Sequence, residues 1–152
     1  PGKTSPSGIR AWSPSSYTGF SSDPSITFNW EKIGNTVTVR VGSATDGTSN
    51  AATFIASGNM PAAITPAGNR SVMIPVRVTA LFAGVTHQIA TFVGILQISS
   101  SGYMSFSVPF DVGDGTSRSA AGQNLGAGQD SSTSGGSNAK GLVVGSCFTY
   151  LL

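Results

Sequence analysis

Apolar and polar residues alternate strictly from Thr36 to Val41: Val37, Val39 and Val41 fall on one side, Thr36, Thr38 and Arg40 on the other. A period of two marks a half-buried antiparallel strand. The preceding run ends at Lys32-Ile33, and Gly34-Asn35 supplies a tight turn, so Trp30 to Val41 predicts a hairpin. Further strand-like runs lie at Ile26 to Ile33, Thr36 to Ser43, Ala51 to Ser57, Val72 to Phe82, Val85 to Ser99, Tyr103 to Phe110 and Leu142 to Leu152, with Gly, Asn, Asp or Pro in every gap. In the Val72 to Phe82 run, Ile74, Val76, Val78, Ala80 and Phe82 share one face, and Pro75, Arg77 and Thr79 the other. Pro75 predicts an edge strand or one that begins after a break, because proline cannot donate to a ladder.

No segment carries a helical period. Seven or eight strands joined by short turns predict an all-β chain, an antiparallel β-sandwich or jelly roll, since a flat sheet of that size must cover its apolar face. Residues Pro1 to Pro24, rich in Pro, Ser and Gly, read as an N-terminal arm or linker that docks through Trp12, Tyr17 and Phe20. The sandwich domain then occupies residues 25–152. Within it, Ser119 to Lys140 has almost no large apolar side chain and reads as a long surface loop.

The chain has 152 residues, one domain's worth, of which only 9% are charged; an ordinary soluble domain carries roughly 25%. Surfaces rich in Ser, Thr and Asn suit a protein that packs large areas against its own copies, because buried unpaired charge is costly. An obligate oligomer is therefore expected. A formal charge of +2 with no basic run leaves no electrostatic footprint for nucleic acid. The apolar stretches, Ile89 to Ile98 among them, are too short to span a bilayer as helices. A start on Pro1-Gly2-Lys3 suggests a piece of something longer.

Catalytic chemistry finds few candidates. His87 is the sole histidine and Cys147 the sole cysteine, so a structural zinc site is excluded. The residues beside Cys147, Phe148 and Val144, predict a buried and inert thiol. Asp111-Val112-Gly113-Asp114-Gly115 reads as a turn in preference to a calcium loop, whose full pattern is absent. The remaining acids are scattered singly, so no catalytic set, metal site or cofactor is expected. Binding is better supplied: exposed aromatics stack on sugar faces and arginine holds carboxylates in a fork. Trp12, Tyr17 and Trp30 enter the candidate list, with Trp30 favoured as core because it alternates with Phe28. The ligand-binding candidates are Arg70, Arg77, Tyr103, Arg40 and His87.

The segment Trp30 to Val39 resembles the strand-turn-strand that opens many receptor-facing C-terminal domains of bacteriophage tail fibres, tailspikes and tail needles. Asn59-Met60-Pro61-Ala62-Ala63-Ile64-Thr65-Pro66 is similar to a connection in those heads, and Gly94 to Ile98 followed by Ser101 to Phe106 to their recurring hairpin. The ending, Gly145 to Leu152, resembles their habit of stopping on a core strand. The resemblance covers about Ile26 to Ser107 and the last dozen residues.

It implies a homotrimeric β-sandwich knob, jelly-roll or tumour-necrosis-factor-like, at the tip of an extracellular virion appendage. Such a head binds a bacterial cell-surface glycan or protein, with room for a small ligand at subunit interfaces. The expected function is non-enzymatic: host attachment or penetration, and trimer assembly. The alternative is a secreted bacterial carbohydrate-binding module or adhesin domain, monomeric, with aromatics on one exposed sheet face. A structural cap that registers a fibre trimer is a third possibility.

Overall fold

The computed structural model describes residues 8–49, 53–82, 85–107 and 139–152. These residues form an all-β chain whose pairings are all antiparallel. The strands are β1 (Arg10–Trp12), β2 (Ser16–Thr18), β3 (Phe20–Ser22), β4 (Ser25–Ile33), β5 (Thr36–Thr45), β6 (Gly47–Ser49), β7 (Phe54–Ser57), β8 (Arg70–Phe82), β9 (Val85–Ile98), β10 (Met104–Ser107), β11 (Ala139–Leu142) and β12 (Cys147–Leu151). A 3-10 turn, Ala62–Ile64, interrupts the β7–β8 connection.

The predicted hairpin is β4–β5. Ile33 pairs with Thr36, so Gly34-Asn35 is a two-residue loop. Gly34 has φ +60 and Asn35 is not in the positive region, as a type II′ turn requires of its first central residue. Near the other end, Thr27 pairs with Ser43 and Phe28 with Val41, which leaves Gly42 as the extra residue of a bulge.

One sheet has four strands in the order β1-β4-β5-β12, the other eight in the order β2-β7-β10-β9-β8-β11-β6-β3. The end strands of the larger sheet, β2 and β3, are consecutive in the chain and separated by Gly19 alone. The sheet therefore curls until its two ends meet in one bent run, a nearly closed, barrel-like shape that hides its apolar face. Gly19 is at φ +98, and a Cβ there would fall 1.7 Å from the Thr53 carbonyl oxygen. Only glycine fits that corner.

The smaller sheet covers the larger. Its inner face presents Trp12, Phe28, Trp30, Val37, Val39, Val41, Phe148 and Tyr150, all buried. The curled sheet contributes Phe54, Ala56, Ile74, Val76, Leu96, Ile98, Met104, Phe106 and Leu142 to the same cluster. Aromatic rings meet within each sheet: Trp12 stacks on Phe28 at 4.8 Å, and Phe54 lies 4.5 Å from Phe106 and 5.0 Å from Phe20. Burying such rings is the largest favourable term available to a chain this poor in charge.

Four expectations change. Residues 10–22 are no arm: β1 pairs with β4, β2 with β7 and β3 with β6, so a boundary at residues 24/25 does not exist in the sheets. The buried aromatic Trp12 and the half-buried Phe20 supply the apolar contact that anchors them. Lys140 does not end a surface loop but sits in β11, fully buried; residues 119–138 and the Asp111–Gly115 turn lie outside the described residues. Strand β8 is interior in the sheet order, yet β11 pairs only with Val76 to Thr79. Pro75 thus stands one residue past the end of β11, where that side of β8 is open. Cys147 is exposed, because the burial alternation of β12 sends Phe148 and Tyr150 inward and Cys147, Thr149 and Leu151 outward.

Candidate functional site

Register sets the outer face of the four-stranded sheet. A two-residue turn that pairs Ile33 with Thr36 necessarily sets Glu31 opposite Thr38 and Asn29 opposite Arg40. Strand β12 extends both rows, with Cys147 beside Arg40 and Thr149 beside Thr38. Side chains directly opposite each other on one face have Cβ atoms about 5 Å apart, so Asn29, Arg40 and Cys147 form one row and Glu31, Thr38 and Thr149 the next. The hydroxyls of Thr38 and Thr149 are 3.3 Å apart.

These rows open on a cavity of about 250 Å³ lined by Ile9, Asn29, Trp30, Glu31, Thr38, Arg40 and Cys147. Ile9 is largely exposed; Trp30 borders the cavity, while its ring points into the core with the Arg10 guanidinium 5.5 Å from its centre. Arg40 extends toward the Gly145 turn, where its Nη2 would lie 3.8 Å from an added Cβ. That turn is held by the Gly145 N–H donating to the Val41 carbonyl at 2.8 Å and the Val41 N–H donating to Ser146 at 2.9 Å. The only ion pair among the described residues is elsewhere, between Arg77 and Asp46.

A second, wider hollow of about 650 Å³ shares Cys147 and is lined also by Ser71, Val72, Met73, Ile95, Phe148 and Thr149. Beside it the outer face of β8–β9 is apolar: Met73 pairs with Ile95 and Pro75 with Val93. Met73 is 73% exposed and Val93 61%.

The sequence candidates scatter. Of the five, Arg40 lines the smaller of these two cavities. Arg70 donates from Nε to the Leu151 carbonyl at 2.6 Å and from Nη1 to Gly68 and Asn69, so its fork clasps β8 to β12. Arg77 donates from Nε and Nη2 to Asp46 Oδ2, the first at 2.9 Å. Tyr103 is exposed on the β9–β10 turn, its N–H held by Ser99 Oγ at 3.2 Å. The side chain of His87, on β9, lies outside the described residues. Trp12 and Trp30 are core rings, and Tyr17 is half-buried, its phenol pushed up by burial. Among the described residues no three His, Cys, Asp or Glu side chains gather as a metal site would need.

Asn29, Glu31 and Thr38 were legible from the hairpin alone, since the Gly34-Asn35 turn dictates their partners. The place of Cys147 depends on a pairing between residues more than a hundred positions apart. No family model, no curated protein and no solved structure matches this chain.

Proposed function

We propose that the chain is a non-enzymatic head domain of a virion tail tip, from a fibre, spike or needle, which assembles as a homotrimer and attaches to a bacterial cell-surface glycan or protein. The observation that carries this reading is the apolar strip of Met73, Pro75, Val93 and Ile95 on the outer face of β8–β9. A chain with 9% charged residues leaves that strip bare of the lysines and glutamates that would keep it in water. Contiguous exposed apolar surface marks a contact with another molecule, and self-association is the contact that low charge favours. The antiparallel sandwich, compatible with a knob, and the resemblance of its β4–β5 hairpin to tail heads support the rest of the reading.

Light scattering after gel filtration tests it. The expected mass is three chains, falling to one in a variant carrying Met73→Lys and Val93→Lys with its circular dichroism retained. A wild-type chain that stays monomeric at every concentration overturns the trimer. Glycan binding by that monomer favours the carbohydrate-binding module or adhesin, for which the cavity around Arg40 is the supporting observation.

A further inference from the structure

We infer that the cavity on the outer face of the four-stranded sheet binds an acidic monosaccharide unit, a pyranose carrying a carboxylate. The inference rests on the attachment half of the function proposed above and names the ligand class. Arg40 lines the cavity, and its guanidinium has no hydrogen bond or ion pair to any described residue. Such a planar fork matches a carboxylate in two parallel hydrogen bonds. Glu31 stands diagonally across from Arg40, Cα atoms roughly 7–8 Å apart by sheet geometry, and is not paired with it.

A carboxylate at that distance repels a compact anion that fills the whole cavity and accepts hydrogen bonds from hydroxyls. The ligand therefore needs an anionic group at the Arg40 end and hydroxyl donors at the Glu31 end. Asn29 and Thr38 lie between them, each able to donate and to accept. Ile9, largely exposed at the rim, supplies an apolar side against which the C–H face of a sugar ring packs. At about 250 Å³ the cavity is below the ~300 Å³ where drug-sized pockets begin, which suits one ring.

Methyl β-glucuronide and methyl β-glucoside, which differ in the carboxylate, are the probes. Their binding is read by saturation-transfer NMR, and cavity occupancy by the rate at which iodoacetamide alkylates Cys147, an exposed residue of the lining. The expected result is that the glucuronide binds about tenfold or more tightly than the glucoside and slows alkylation. Arg40→Gln, on an exposed position and with an unchanged melting temperature, is expected to erase that preference. Equal binding of the two glycosides, unprotected Cys147, or an Arg40→Gln variant that keeps the preference overturns the inference. If the protein adheres to bacteria while neither glycoside binds, this inference falls and the attachment reading stands.

Discussion

The hydroxyl of Tyr150 donates a 2.7 Å hydrogen bond to the carbonyl of Ile64, tying the last strand to the 3-10 turn between β7 and β8. Both residues are buried, Ile64 completely. Tyr150→Phe keeps the ring that stacks on Phe148 but leaves the carbonyl without its donor. We expect a loss of about 1–2 kcal/mol, or roughly 2–8 °C in melting temperature for a chain of this length, measured by urea and thermal unfolding.

Lys140 crosses the interior of the curled sheet: its Nζ donates to the Thr53 carbonyl and lies 4.6 Å from the centre of the Phe20 ring. Burial pulls its pKa down from 10.5 to about 8. Between those values the unfolded chain holds a proton that the folded chain has released, so stability rises with pH. From about pH 10 the tyrosines oppose this: burial raises both Tyr17 and Tyr150, and the unfolded chain releases phenolic protons first. Urea midpoints are expected to climb from about pH 8 to about pH 10 and fall above it. Lys140→Met should flatten the climb and leave the fall.

Two glycines with positive φ carry different loads. Gly34→Ala strains only φ, because nothing lies within 4 Å of the new methyl group, and should cost about 1–2 kcal/mol. Gly19→Ala also drives Cβ into the Thr53 backbone and should cost about 3 kcal/mol or more. Parallel denaturation of the two variants checks the ranking, and equal losses would contradict the corner's role in closing the sheet.

The exposed thiol of Cys147, which donates weakly to the Gly145 carbonyl at 3.5 Å, should react in the native protein. One equivalent per chain is expected with a thiol reagent in the absence of denaturant. A thiol that appears only in denaturant would place Cys147 inside.

The long strands were legible, and so were β7, β10 and β12, but the three-residue strands were not. Strands β4, β5, β8 and β9 each run for nine residues or more, long enough for their apolar runs to stand out from composition. Strands β1, β2 and β3 have three residues each, and Trp12 or Phe20 alone among Ser, Pro and Gly shows no period. A lysine after a Gly- and Ser-rich run reads as solvated, and only the tertiary closure that brings β11 over Phe20 and Thr53 makes it a core residue. Phe148 beside Cys147 in sequence points to a buried thiol, but neighbours along a strand face opposite sides, so the burial of Phe148 sends Cys147 outward. Of the site, Arg40 and its cross-strand partners on β4 followed from one turn, while Arg70 and Arg77 were claimed by backbone carbonyls and by Asp46 that no local pattern announces.

The corner at Gly19 also protects the protein from its own neighbours. An open eight-stranded sheet would offer two rows of unpaired N–H and C=O groups, each a template on which a foreign strand can add and begin an aggregate. Many proteins guard such rows with lysine or glutamate, residues this chain scarcely has. By bending one run so that Ser16–Thr18 pairs with β7 and Phe20–Ser22 with β6, the fold leaves stubs of three residues where full rows would stand. At the two ends of the curled sheet, topology thus does the guarding that charge does elsewhere.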